Sequence, residues 1–244
     1  MTTAESSSER FNKISSNFVT SEVHKSSPTI ARLHELLREE RIESVCDVAC
    51  GAGHLLLSFA KTAKRLVAVD PAPSMIDAAK QLARDQGIAI ETFTAKAEAL
   101  PLPDSTFDLT VSRLAPHHFG DVAAAIREMK RVTKVNGLVG VIDLEGDGNT
   151  DYDAFNHTLE VLHDPTHVRS YTAEKWRSVF EDDGFAILAF ERGLSERPSG
   201  VPVSRWCEIA ASGARPNVKS SDCFWKPPRR SSTALVSARK DVSS

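Results

Sequence analysis

Short apolar runs alternate with amphipathic stretches over residues 44–144 of this 244-residue chain. Runs at 44–49, 65–70, 88–93, 107–112 and 138–144 have the length and branched or aromatic content of buried strands. Between them, apolar positions recur every three or four residues. Leu55, Leu56 and Phe59 predict a helix over 54–63. Met75, Ile76, Ala79, Leu82 and Ala83 predict one over 73–86, stopped by Gly87. Val122, Ile126, Met129 and Val132 predict a third over 121–134, with Asp121 as its cap. Asn136-Gly137 is a left-handed turn signal leading into the fifth run. Ser27-Pro28 opens an earlier helix striped by Ile30, Leu33, Leu36 and Leu37.

Beyond residue 145 the alternation loosens. Phe155, Leu159 and Leu162 suggest the inward stripe of a helix over 152–162. The polar segment HDPTHVRSY follows, and Thr172 caps a helix carrying Trp176, Val179 and Phe180. A sixth strand is expected at 185–190, and the run at 233–240 reads as a returning edge strand. Residues 193–232 are proline-rich and without periodicity. At the other end, Phe11, Ile14, Phe18 and Val19 stand at helical spacing behind a Ser/Glu-rich stretch, 1–10, read as a disordered tail. The whole predicts an α/β fold, a doubly wound and mostly parallel sheet of seven strands in one domain over 11–240. Its core spans 40–145 and an insertion at 145–183 serves as a lid.

In such a sheet, ligands lie beyond the carboxyl ends of the central strands. The stretch VCDVACGAGHLLLSFAKTAKRLVAVD delivers Asp47, the turn Ala49-Cys50-Gly51-Ala52-Gly53 and Asp70 to that edge. Gly51 and Gly53 allow a ligand to approach the backbone, and the following amides point toward it. A carboxylate ending the second strand can accept from a ribose diol. A dinucleotide dehydrogenase shares these features, but its third glycine falls where this chain has Leu56.

Charge narrows the field little. A net charge of −3, with 41% hydrophobic and 26% charged residues, is ordinary for a soluble globular protein and unlike a nucleic-acid binder. The four cysteines lack zinc-type spacing. No apolar run reaches membrane-spanning length, and the polar start MTTAESSSER does not read as a signal peptide. A cytoplasmic monomer or homodimer is expected.

The blocks VCDVACGAGH, VAVDPAPSMIDAAK, AKAEALPLPDSTFDLTVSRLAPHHF and REMKRVTKVNGLVGVIDL together resemble the class I S-adenosylmethionine-dependent methyltransferases, in the branch similar to ubiquinone/menaquinone-biosynthesis enzymes. The resemblance covers about residues 11–192. It implies a Rossmann-like class I fold with N-terminal helices, S-adenosyl-L-methionine as cofactor, and a small-molecule acceptor methylated at oxygen or carbon. It also implies roles. Asp47 takes the methionine end of the cofactor. Ala49, Gly51 and Gly53 form the turn beneath it, Ala49 replacing the family's first glycine. Asp70 takes the ribose, Pro71 and Met75 flank the adenine, and Ala97 and Glu98 meet its edge. Arg113 lies near the methionine carboxylate, and Ser21 and His24 cap the cofactor.

His117 and His118 follow the fourth strand on the ligand edge and are candidate general bases, with His118 preferred. His163, His167 and Arg169 in the insertion are candidate acceptor contacts. Pro165 interrupts any helix that would align those histidines, so no metal site is expected. The rival readings are a non-catalytic binding protein that keeps the cofactor fold, and a dinucleotide-dependent oxidoreductase.

Overall fold

A computed structural model describes residues 6–19, 27–194 and 233–240. Its centre is a sheet in which residues Arg65–Asp70 (β2) and Phe107–Arg113 (β4) flank Ser44–Val48 (β1), all parallel. Glu91–Thr94 (β3) extends the sheet beside β2, and Thr133–Leu144 (β5) beside β4, again in parallel. The strand order is β3-β2-β1-β4-β5, continued by Thr233–Lys240 (β7) and then Phe185–Leu194 (β6). The parallel pairing therefore spans five strands, and the last two pairings are antiparallel. The expected edge position of 233–240 is overturned, because β7 runs between β5 and β6.

Helices cover both faces, as the alternation required. Pro28–Leu36 (α2) and His54–Ser58 (α3) bury Leu33, Leu55, Leu56 and Phe59 against Val45, Leu109 and Ile142. Val122–Val132 (α5) and Ala173–Asp182 (α7) bury Ile126, Met129, Trp176 and Phe180 against Cys46, Val48, Val139 and Val141 on the other face. The caps behave as the residues predict. Ser27 accepts from the Thr29 amide, Asp121 from that of Ala124, and Thr172 from that of Lys175. Pro73–Asp85 (α4) follows β2 and is crossed at its start by Ser7–Val19 (α1). The Ser74 amide donates to Asn12, and the Ser8 hydroxyl donates to the Pro71 carbonyl.

Several boundaries move. α1 begins at Ser7, inside the stretch read as tail. α3 ends at Ser58, although Phe59 just past it is still buried against the sheet, and β3 begins at Glu91. β5 starts at Thr133 because Asn136, at φ 62°, sits where the pairing with β4 shifts register and so interrupts the strand without ending it.

The helix after β5, Thr150–His163 (α6), exposes two of its three expected apolar positions, Leu159 being half-buried. Tyr152, Phe155 and Leu162 are exposed, Phe155 at 56% and Leu162 at 71%. The inward positions are Asp153, buried, with His157 and Glu160 half-buried. These recur at helical spacing, so the polar face of α6 is the one turned toward the protein.

Candidate active site

The strand order reverses between β1 and β4, so their carboxyl ends open a crevice at the switch point. The turn after β1 reaches this edge through a series of left-handed residues. Ala49 has φ 57°, Gly51 53° and Gly53 84°. The two glycines serve different ends. A Cβ on Gly53 would lie 3.2 Å from the Cβ of Ala79, so Gly53 lets α4 close against the turn. That is the packing role for which a dehydrogenase uses its third glycine. A Cβ on Gly51 would meet nothing within 4 Å, so the space beside Gly51 is open to a ligand. Leu56 is fully buried, and its amide donates to Asp47 Oδ2 at 3.2 Å.

Two buried carboxylates frame the turn. Burial raises Asp47 to about 8, although the Leu56 amide and the charge of Arg113 act the other way. Burial raises Asp70 to about 6, opposed by its bonds from the amides of Ala72 (2.8 Å) and Gly51 (2.9 Å). Asp70 thus holds the turn in shape, while each oxygen keeps lone-pair capacity for a hydroxyl. Arg113, the last residue of β4, donates from Nε to the Thr29 hydroxyl at 3.3 Å.

Other predicted contacts take different roles. Glu98 accepts from the amides of Gly120 and Asp121, tying its segment to the start of α5. Ala97 and Met75 are buried side chains, and Ala97 packs in the core below α5. Pro71 lies under α1 through the Ser8 bond. Ser21 and His24 fall outside the described residues, as does the side chain of His163, whose backbone ends α6.

A second group of side chains gathers past the carboxyl ends of β4 and β5. The turn Pro116–His118 places His117 Nδ1 2.5 Å from Oδ1 of Asp143, near the end of β5, with both side chains buried. Oδ2 of Asp143 has no hydrogen-bond partner among the described residues. Burial pulls His117 down, but the Asp143 carboxylate, with Glu160 and Asp164, outweighs it and sets His117 above the ordinary imidazole value. The neighbouring His118 goes the other way. Burial and the charge of His117 push it down to about 3. Its Nδ1 lies 3.0 Å from the Thr166 carbonyl, and the ring of Phe11 meets it edge-on at 5.2 Å.

The segment after α6 seals this group. His117 accepts through its carbonyl from the amides of Val168 and Arg169. His167 stacks on His117 at 5.2 Å, and burial lowers it to about 4. His157 of α6 lies 5.5 Å from His167. Arg169 pairs with Asp153 and remains half-exposed. Asp164 bonds Thr166 and pairs with Arg10 of α1 at 3.0 Å. Among the described residues, no cluster has metal-binding geometry.

Residues 46–141 match the profile of a methyltransferase domain. Over that stretch the chain is similar to methyltransferases. It is 35% identical over 149 residues to the uncharacterized methyltransferase YcgJ of Bacillus subtilis, a match covering 61% of this chain and 59% of that protein. The chain thus spans about three fifths of the length of that relative. The crystal structure of the same Bacillus protein aligns with a TM-score of 0.68 at 24% identity, over 87% of this chain and 98% of that one. An S-adenosylmethionine-dependent methyltransferase of Aquifex aeolicus aligns with a TM-score of 0.60 at 16% identity, over 94% and 98% of the two chains. S-adenosylmethionine is the cofactor of this methyltransferase family. The turn fits it, since open space beside Gly51 lies between two buried carboxylates.

Sequence reasoning missed Asp143, Arg10, Thr29 and His157. Asp143 carried a usable signal, an acidic residue near the carboxyl end of an apolar strand, as Asp47 and Asp70 do. Arg10 and Thr29 lie far from their partners in sequence, and no local pattern marks them.

Proposed function

We propose that this chain transfers a methyl group from S-adenosylmethionine to an oxygen or carbon nucleophile of a small molecule, with His117 as general base. The observation that carries the reading is the buried His117–Asp143 pair, which lies past β4 and β5 on the same carboxyl-end edge of the sheet as the glycine turn. When bound, the cofactor supplies a methyl group activated by a positive sulfur. Asp47 and Arg113 bind its amino-acid end, and Asp70 accepts from its ribose. The Gly51 turn lies beneath it, and the backbone at Ala97, with Pro71, borders the adenine.

Asp143 fixes Nδ1 of His117 and stabilises the imidazolium, so Nε2 takes the acceptor's proton. The geometry favours His117 over His118, because His118 is held low and tied to the loop carbonyl of Thr166. The neutral rings of His118 and His167 then bound the acceptor. The segment 145–183 is the lid, supported by its bonds to His117 and by the Arg10–Asp164 pair joining it to α1. Desolvation beneath it favours charge neutralisation between nucleophile and sulfonium. No described helix is long and apolar enough to cross a membrane.

Calorimetric titration with S-adenosylmethionine, followed by release of S-adenosylhomocysteine across a panel of phenols, enols and carboxylates, tests the reading. Binding with turnover supports it. Binding without turnover across the panel supports a scaffold that retains the cofactor fold, and no binding at millimolar cofactor refutes both.

A further inference from the structure

The geometry points to Thr29 as a positioning residue for the cofactor's amino-acid end, acting through Arg113. The inference rests on reading this edge as the cofactor site. Thr29 is fully buried in the first turn of α2, where a threonine is usually a solvent-facing cap or spacer. Its amide donates to Ser27 Oγ at 3.2 Å, so the cap alone already satisfies its backbone. Its hydroxyl does something else. Oγ1 lies 2.9 Å from Ser27 Oγ and accepts from Nε of Arg113, 84 residues away. A buried hydroxyl with the serine on one side and a guanidinium on the other is oriented from both ends.

The sheet register explains what this contact aims. Asp47 lies opposite Val111, and Arg113 follows Val111 by two residues on the same face. That face is the one covered by α2 and α3. Arg113 is therefore a neighbour of Asp47 across the switch point, close enough for its charge to act on that carboxylate. A guanidinium is planar, so fixing Nε sets the plane in which its two terminal nitrogens present their donors. Its stem has several rotatable bonds, and the acceptor at Nε is one of the contacts that set that plane. Thr29 thus presets a guanidinium beside the Asp47 carboxyl, which ionises when an ammonium binds, so that together they match the ammonium and carboxylate of a zwitterionic amino-acid group. Recognition of a carboxylate by an oriented guanidinium depends on that geometry.

The test uses two ligands that share adenosine and differ in the amino-acid end. S-adenosylhomocysteine carries it, and 5′-methylthioadenosine lacks it. Thr29→Val keeps the shape and removes the hydroxyl. It is expected to weaken S-adenosylhomocysteine about tenfold while methylthioadenosine binding stays within about twofold of wild type. Thr29→Ser should restore the first ligand. Loss of both ligands in equal measure, or of neither, overturns the inference. Thr29→Ala, which cannot crowd the α2 turn, gives the same decision if the valine variant fails to fold. Wild-type protein that binds neither ligand sinks the cofactor reading itself, and the inference with it.

Discussion

Nδ1 of His117, in the turn after β4, and Oδ1 of Asp143, near the end of the neighbouring β5, lie 2.5 Å apart and buried. Burial alone would keep the imidazole neutral, and the carboxylate reverses that balance. His117 therefore titrates above the ordinary imidazole value, and below that pH it is cationic and cannot accept a proton. Activity, as kcat/KM, should rise with pH through this titration. Asp143→Asn should move the rising limb to lower pH, because burial then dominates, and should lower kcat on the order of 10²-fold. Full pH–rate profiles of both proteins check it, and an unmoved limb would exclude the pair as the base.

Asp47 should be a site where binding costs stability. Its folded pKa of about 8 lies above the model-peptide value, so its contribution is present below about pH 4 and is lost as pH rises toward 8. Asp47→Asn keeps an acceptor for the Leu56 amide and removes the buried charge. The variant should melt about 2–4 °C higher at pH 8 for each ~1 kcal/mol recovered, with less gain at pH 5, and should lose cofactor binding. Melting curves at the two pH values decide it. A lower Tm at pH 8 would contradict the account.

The two turn glycines should separate in experiment. Gly53→Ala forces its Cβ to 3.2 Å from Ala79 at φ 84°, so stability should fall by about 1–3 kcal/mol. Gly51→Ala meets open space and carries only the backbone strain, about 1 kcal/mol. It should instead hinder ligand approach and weaken cofactor binding more than Gly53→Ala does at equal folded fraction. Chemical denaturation beside calorimetry distinguishes them, and equal losses in both measurements would refute the division.

Arg10 and Asp164 should couple α1 to the segment after α6. Their 3.0 Å pair is largely buried, with side-chain exposures of 8% and 17%, so breaking it should matter more than loss of a surface ion pair. In Arg10→Ala, amides of α1 and of residues 164–170 should exchange with solvent faster together, while those of β1 and β4 keep their protection. Hydrogen exchange reads both segments at once, and acceleration of one segment alone would disprove the coupling.

Much of this architecture is visible in the chain. The strand–turn–helix grammar from Val45 to Asp70 places Asp47, the glycine turn and Asp70 correctly, because period, turn residues and caps act over a few neighbours. The same rules misjudge α6. Phe155 and Leu162 stand at helical spacing, yet spacing reveals a shared face and not which face is covered. The run 233–240 reads as a strand in either case, and its place between β5 and β6 depends on partners 39 to 101 residues away.

The sequence alone determines the periodic elements, the carboxylates at strand ends and the left-handed turn, since each follows from local steric and solvation preferences. Only the tertiary structure decides that His117 rather than His118 meets a carboxylate, that Gly53 serves Ala79 while Gly51 faces open space, and that Thr29 holds Arg113. Those outcomes depend on sheet register and helix docking, which bring together atoms that no local rule relates.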